Sequence, residues 1–167
     1  MTQRSFTLGF DGALLARGFW LYVWRIEEAD RSVSLYVGRT GDSSSPHASS
    51  PFQRVARHLD PKPTAKSNSL YRKLNNARLC RFDLVAVGPF FDEVSDFEEH
   101  KVLRDEMAGL EEALARFLVS GGYNVVGVHG NPRPYDQAKL EIARKEVENF
   151  LEKFPRPVAN GHRSSVR

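Results

Sequence analysis

The chain has 167 residues, of which 41% are hydrophobic and 27% are charged, and its formal net charge is +3. These values predict a single globular domain with a core of its own. The lone cysteine, Cys80, excludes a disulfide framework and a cysteine-based zinc site. Asp11 and Arg17 interrupt the apolar residues near the N-terminus. Neither a signal peptide nor a membrane span is therefore expected, and a cytoplasmic location is the default expectation.

After a short edge strand predicted from Ser5 to Phe10, the strongest signal in the chain begins. It lies between Trp20 and Gly38, where W-L-Y-V-W-R-I and S-V-S-L-Y-V-G flank E-E-A-D-R. Aromatic and β-branched residues that alternate with period two predict a β-hairpin. A loop centred on Ala29 would place Tyr22 directly opposite Tyr36. The alternation puts Trp20, Tyr22, Trp24 and Tyr36 on one face of the hairpin, and Leu21, Val23, Val33, Leu35 and Val37 on the other.

The rest of the chain reads as helices with one more strand. A loop rich in serine, glycine and proline follows the hairpin, and Ser50-Pro51 is a good start for a helix. The patterns predict an α+β fold, in which helices flank a small antiparallel sheet with a three-stranded core. The further elements are a helix from Phe52 to Leu59, a helix from Asn68 to Ala77, a strand from Arg81 to Val87 ended by Gly88-Pro89, a long helix capped by Ser95 or Asp96 that ends near Val119 before Gly121-Gly122, and a helix from Tyr135 to Phe154.

Two of these helices carry side chains that could serve a chemical site. Arg54 and His58 are four residues apart and therefore project together from one side of their helix. On the long helix, Glu111 lies about 80° from the centre of the apolar stripe and Glu112 about 180° from it, at 100° per residue. This phase predicts that Glu111 leans toward the sheet and that Glu112 faces solvent. The stripe consists of Leu103, Met107, Leu110, Leu114 and Phe117.

Charge is distributed unevenly along the chain. Residues 52–81 contain eight basic residues and one acid, a net charge of +7, and residues 92–112 contain nine acids and two basic residues, a net charge of −7. A basic block followed by an acidic block suits a phosphate-binding surface beside a cation-binding one. Two solvated helix faces of opposite sign would produce the same pattern.

Five short motifs occur in the order, and on the kinds of element, that one family of enzymes uses. Together they resemble the GIY-YIG nuclease family over about residues 19–126. Arg39 lies where some relatives place a basic residue, and Trp20 stands where the first motif has its glycine. In chain order the motifs are Trp20-Leu21-Tyr22, Tyr36-Val37-Gly38, Arg54 with His58, Glu111 with Leu114 and Ala115, and Tyr123-Asn124.

The resemblance implies a metal-dependent endonuclease that hydrolyses phosphodiester bonds in DNA. It also implies an organisation in which residues 1–18 are an N-terminal segment and residues 19–126 are the nuclease domain. Beyond the resemblance, the pattern of the chain predicts a helical extension of that domain at residues 127–154 and a mobile basic tail at residues 155–167.

The resemblance also implies roles for single residues. Glu111 is the expected ligand of Mg²⁺ or Mn²⁺, and Arg54 is expected to offset the charge of the transition state. Tyr22 is the candidate base, with help from the metal and from cations such as Arg39. The other expected contributors are Tyr36 and His58, which would orient water or relay its proton, and Asn124, which would orient a tyrosine or the phosphate. Independently of the resemblance, the charge of the basic block predicts that Arg57, Lys62, Lys66, Arg72 and Lys73 bind nucleic acid, and Arg39 is expected to bind it as well.

Two other functions remain open on the sequence. The chain could be a non-catalytic or weakly catalytic module that keeps the fold and the basic block, and Trp20 in the first motif favours that reading. Structured RNA could replace DNA as the partner, because the basic block would serve either nucleic acid equally. The sequence does not indicate the oligomeric state.

Overall fold

The computed structural model describes residues 5–42, 47–65, 67–127 and 132–155. Three antiparallel strands form one sheet in the order β2-β1-β3. The α+β fold class is therefore confirmed. The elements are β1 (Phe19–Glu27), β2 (Val33–Arg39), β3 (Arg81–Phe91), α1 (Pro51–His58), α2 (Ser69–Lys73), α3 (Phe97–Ser120) and α4 (Gln137–Leu151), with short 3₁₀ helices at Gly12–Leu15 and Ala77–Leu79.

The hairpin of β1 and β2 forms as predicted, but its register differs by two residues. Trp24, and not Tyr22, lies opposite Tyr36, whereas Tyr22 lies opposite Gly38. The prediction that the two tyrosines face each other is wrong, because the loop is centred on Asp30. Asp30 Oδ1 accepts hydrogen bonds from the backbone N–H and the hydroxyl of Ser32, which closes the turn one residue later than expected. A shift of two residues leaves every side chain on its predicted face.

Both faces of the sheet are covered by helices. The face that carries Leu21 and Val23 packs in one core with α3 and α4. The opposite face, which carries Tyr22, Trp24 and Tyr36, packs against side chains of α1 and α2. The predicted division of the hairpin is confirmed for Tyr22, Trp24 and Tyr36 on one face and for Leu21, Val23, Leu35 and Val37 on the other. The tyrosine face lies under α1 and α2.

Strand β3 continues through the Gly88-Pro89 pair that was expected to end it. The pairing of β1 with β3 is irregular between Phe19 and Leu21, and beyond this irregularity Phe19 pairs with Phe91. The irregularity lies beside Trp20, whose indole ring would be 3.1 Å from a Cβ added to Gly88. Gly88 therefore leaves room for the bulky residue at the start of the first motif.

Local signals place the ends of two helices correctly. Ser50 caps α1 by accepting a hydrogen bond from the backbone of Gln53, and Asp96 caps α3 by accepting one from Glu99. Gly121 follows the last residue of α3. No helix among the described residues is long and apolar enough to cross a lipid bilayer.

Three predicted elements differ in the structure. Residues 5–10 do not form an edge strand, since Phe6 and Leu8 are exposed and lie beside no other strand. Helix α2 ends at Lys73, so the helix expected to run to Ala77 is shorter, and α4 also begins later and ends earlier than expected. The predicted mobile tail spans residues 155–167, of which residues 156–167 lie outside the described residues.

Glu112 does not face solvent. Its side chain is 7% exposed and accepts a hydrogen bond of 2.6 Å from Arg116. It lies in a cleft between α3, the segment 132–135 and Leu140 of α4. The prediction failed because the stripe defines only the side of α3 that faces the sheet, whereas α4 covers a second side.

We expect Glu112→Gln to lower the free energy of unfolding by about 2 kcal/mol, because it removes a charge-assisted hydrogen bond from a covered site. Urea unfolding would measure the change. Glu98→Gln on the same helix is the matched control, since the Glu98 side chain is 76% exposed. It should change stability by no more than about 0.5 kcal/mol. Equal effects of the two changes would contradict the buried position of Glu112.

Candidate functional site

A polar pocket of about 240 Å³ lies where the hairpin meets α1, α2 and α3. Every one of these elements contributes at least one side chain to its wall. The pocket brings together five of the six residues predicted to be catalytic, and Arg39 in addition. Its lining consists of Tyr22, Tyr36, Arg39, Asp42, Arg54, His58, Ser69 and Glu111.

A chain of hydrogen bonds begins at the buried hydroxyl of Tyr22. Tyr22 Oη lies 3.0 Å from His58 Nε2, and His58 Nδ1 lies 3.3 Å from the Ser69 hydroxyl. The ring of Tyr36 packs against the same imidazole, with ring centroids 5.4 Å apart. His58 is thus held by side chains from β1, β2 and α2, which fixes the direction of both ring nitrogens.

Burial keeps the side chains of Tyr22, Tyr36 and His58 uncharged. It raises the pKa of Tyr22 well above its ordinary value, although the positive charge of Arg54 opposes the rise. Burial also raises the pKa of Tyr36. The pKa of His58 is lowered to about 4 by burial and by the charges of Arg54 and Lys73. At neutral pH the pocket therefore contains two phenols and a neutral imidazole.

The low pKa of His58 has a consequence for stability. In the unfolded chain the imidazole has an ordinary pKa near 6.5, so the unfolded state binds a proton as the pH falls from 7 to 5 while the folded state does not. We expect this difference to remove about 2 kcal/mol of unfolding free energy between pH 7 and pH 5. Urea unfolding at both pH values would measure it.

His58→Gln should lack this part of the pH dependence. The carboxylates of the protein titrate in both proteins, and their effects cancel when the two are compared. If the variant lost as much stability as the native chain over this range, His58 would not be held neutral in the folded state.

Glu111 reaches the pocket from α3, as its position at the edge of the stripe predicted. Arg39 Nε donates a hydrogen bond of 2.8 Å to Glu111 Oε2, and the two side chains are only 15% and 20% exposed. Arg39 Nη1 also donates to the backbone carbonyl of Arg104. Burial raises the pKa of Glu111, and Arg39 opposes that rise. Arg39 therefore neutralises Glu111. Arg54 is the cation whose charge opposes the rise in the pKa of Tyr22, and the expected help of Arg39 to Tyr22 stays a prediction.

Arg54 is paired with a carboxylate that the sequence did not single out. Its Nη2 donates to Asp42 Oδ2 in an ion pair at the mouth of the pocket. Burial lowers the pKa of Arg54, but Asp42, Tyr22 and Tyr36 raise it, and the net shift is upward. The guanidinium is thus fully charged and stays within reach of Tyr22.

Gly38 has a steric role in the pocket. A Cβ at this position would come within 2.5 Å of the Cε2, Cζ and Oη atoms of Tyr22. The cross-strand pairing of Tyr22 with Gly38 brings the ring over the glycine backbone. The glycine of the second motif is therefore explained by the space that the buried tyrosine needs.

Gly38→Ala should displace the Tyr22 ring and lengthen its hydrogen bond to His58, at a cost of about 1–3 kcal/mol in stability. Urea unfolding and the NMR chemical shifts of the His58 imidazole would report the two effects. Gly12→Ala is the control, because an added Cβ at Gly12 meets nothing within 4 Å. A Gly38→Ala protein with unchanged His58 shifts would show that Tyr22 does not depend on this space.

Asn124 does not line the pocket. Asn124 is exposed, and its backbone carbonyl accepts a hydrogen bond of 2.8 Å from the N–H of Leu35. The next residue, Val125, forms a parallel bridge with Leu35 at the edge of β2. The structure thus uses the backbone of this segment to extend the sheet and does not bring the Asn124 amide to the tyrosines.

Four of the six predicted nucleic-acid-binding residues lie on the surface in or near α1 and α2, whereas Arg39 lies in the pocket, where it pairs with Glu111. Arg57, Lys62, Arg72 and Lys73 are exposed, and Lys66 lies outside the described residues. Lys73 is placed next to the pocket, since its Nζ is 5.8 Å from the centroid of the Tyr36 ring. Arg72 is partly engaged, because it donates to the backbone carbonyl of Ala65.

Sequence reasoning missed Asp42 and Ser69. Asp42 follows the second motif by four residues, but the serine-rich stretch after it suggested a surface loop. Ser69 is the first residue of α2 and contacts His58 only because α2 packs beside α1. A local pattern marks neither residue, so their roles depend on contacts between elements.

The described residues contain no group of three or more histidine, cysteine, aspartate or glutamate side chains arranged to hold a metal ion. Within the pocket, the carboxylates of Glu111 and Asp42 are the side chains whose oxygens could serve a hard cation.

Comparison of the chain with protein-family models, curated proteins and solved structures finds no match.

Proposed function

We propose that the pocket hydrolyses phosphodiester bonds and that the protein is a metal-dependent endonuclease of the GIY-YIG type acting on DNA. The observation that supports this proposal is the meeting of Tyr22, Arg54 and Glu111 in one pocket, although these residues are far apart in the chain. A buried phenol, a charged guanidinium and a carboxylate can serve such a reaction as proton relay, stabiliser of phosphate charge and cation ligand.

The pocket is suited to a divalent cation such as Mg²⁺ or Mn²⁺. Glu111 offers a carboxylate at the pocket wall, where one oxygen is held by Arg39. Mg²⁺ commonly uses one or two protein carboxylates and keeps several waters, so a site with few protein ligands is adequate. When bound, the cation would supply positive charge to the phosphate and lower the pKa of a bound water.

His58 is the neutral base that this pocket holds beside Tyr22 at pH 7. With its pKa near 4 it is a weak base in the empty pocket, and the negative charge of a bound phosphate would raise that pKa. The raised pKa of Tyr22 makes the phenolate scarce at neutral pH. With Nδ1 protonated and donating to Ser69, His58 Nε2 is free to accept the phenolic proton of Tyr22. Tyr22 Oη could then take a proton from the attacking water as it passes its own proton to His58. In this scheme Tyr22 relays the proton and His58 receives it.

Arg54 would stabilise the charge on the phosphate. Its guanidinium is fixed between Asp42 and Tyr22 and presents several donors in a plane, which suits phosphate oxygens. The exposed Lys73 beside Tyr36 extends positive charge from the pocket toward the surface. A nucleic-acid backbone that follows α1 and α2 would bring its phosphate to Arg54.

Incubation of the purified protein with plasmid DNA and with branched DNA, in the presence of Mg²⁺, Mn²⁺ or EDTA, tests the proposal. We expect cleavage of at least one substrate with either metal and none with EDTA. A structured RNA in parallel would identify the preferred nucleic acid. If none of the three substrates is cleaved with either metal, the enzymatic proposal is contradicted.

A non-catalytic nucleic-acid-binding module is the second candidate. Two observations favour it: Asn124 does not reach the pocket, and Arg39 holds an oxygen of Glu111. This candidate predicts binding of DNA or structured RNA with a marked salt dependence, and no cleavage under any metal condition. The same assay, combined with a binding measurement, distinguishes the two functions.

A further inference from the structure

The ion pair between Asp42 and Arg54 has a consequence for how the pocket receives its substrate. The proposed function expects the guanidinium of Arg54 to bind the phosphate. In the structure, Nη2 of Arg54 already donates a hydrogen bond to Asp42. Carboxylates and phosphates are recognised by the same planar set of guanidinium donors. The carboxylate of Asp42 therefore lies where a phosphate oxygen would be expected.

The surroundings of Arg54 leave few other ways to approach it. Its side chain is 18% exposed, and its Nε is buried with no hydrogen-bond partner among the described residues. An incoming anion must therefore reach the terminal nitrogens, of which one is occupied by Asp42. Asp42 itself is the more accessible partner, with 32% of its side chain exposed.

The charges of the pocket are balanced when no substrate is present. Arg39 pairs with Glu111, and Arg54 pairs with Asp42, so the four charged side chains sum to zero. His58 is neutral and adds no charge at pH 7. A phosphate that enters the pocket gains little attraction unless one of the two ion pairs opens.

We infer that Asp42 is a substrate mimic that occupies the phosphate position on Arg54 and is displaced when nucleic acid binds. The inference rests on the proposed function. It makes Asp42 a residue that weakens binding of the phosphate backbone in general, because it competes with every phosphate for the same donors. Its removal should therefore increase affinity, and the increase should require Arg54.

The test is a fluorescence-anisotropy titration of a labelled DNA duplex in EDTA, which measures binding without cleavage. Asp42→Asn should bind about tenfold more tightly than the native chain, as expected when a competing charge-assisted hydrogen bond is lost. Asp92→Asn makes the same change of net charge at an exposed position outside the pocket. It should increase affinity by no more than about twofold.

Dependence on Arg54 is tested by repeating the comparison with Arg54→Met. In this background, Asp42→Asn should increase affinity no more than Asp92→Asn does. Asp42→Ala also removes the carboxylate and should give the same tenfold gain. It replaces Asp42→Asn in the test if circular dichroism shows that the asparagine variant folds poorly.

The possible results separate the inference from the proposed function. If the native chain binds DNA and neither Asp42 variant binds more tightly than Asp92→Asn, the inference is wrong and the proposed function stands. If the gain persists in the Arg54→Met background, the competition for Arg54 is likewise refuted. Absence of binding by every variant and by the native chain overturns both.

Discussion

Glu111→Gln is expected to reduce metal-dependent cleavage by about a thousandfold or more, while DNA binding in EDTA stays at least as tight. The change preserves the shape of the side chain but removes the negative charge that a divalent cation needs. Binding should not weaken, because the change frees Arg39 from its ion pair and removes a negative charge from the pocket. Cleavage of plasmid DNA at saturating Mg²⁺ and Mn²⁺, together with anisotropy in EDTA, measures both effects.

Two other glutamates of α3 provide the controls for this experiment. Glu98→Gln, at a side chain that is 76% exposed, should leave cleavage unchanged. Glu112→Gln should lower stability but leave the folded protein active, since Glu112 lies in the cleft against α4 and not in the pocket. An active Glu111→Gln protein beside an inactive, folded Glu112→Gln protein would refute the assignment of the cation site.

Arg54→Lys is expected to lower turnover about a hundredfold and to change affinity for DNA by much less. Lysine keeps the positive charge, but it lacks the planar donor set that Arg54 offers to developing phosphate charge. The expected loss corresponds to the removal of one preorganised donor from a transition state. Rates of cleavage under single-turnover conditions, compared with dissociation constants in EDTA, separate turnover from binding.

Arg81→Lys makes the same chemical change at a side chain of β3 that is 71% exposed, and it should leave both quantities unchanged. If Arg54→Lys retained full turnover, a simple positive charge would suffice at this position. The guanidinium would then have no special part in the reaction.

The elements that carry the site could be predicted from the sequence because their signals are local. Alternation of side chains defined the two faces of the hairpin, and Ser50 and Asp96 marked the starts of α1 and α3 through caps that involve only neighbouring residues. The spacing of Arg54 and His58 placed both on the side of α1 that faces the pocket. These features depend on helical and strand periods, which are properties of the chain itself.

The register of the hairpin required knowledge of its turn. A loop centred on Asp30 instead of Ala29 moved every pair by two residues and placed Tyr22 over Gly38. Periodicity cannot detect such a shift, because the same side chains remain on the same face. Only the geometry of the turn decided which residues face each other.

Contacts between distant segments decided the rest of the site. Glu112 is covered because α4 packs on α3, and Asp42 enters the pocket because the end of β2 lies beside α1. Asn124 is used through its backbone at the edge of β2 and not through its amide. The sequence by itself determined which side chains share a face of each strand or helix. Tertiary structure alone decided which of those faces are covered and which charges meet, because packing brings together residues that no local period relates.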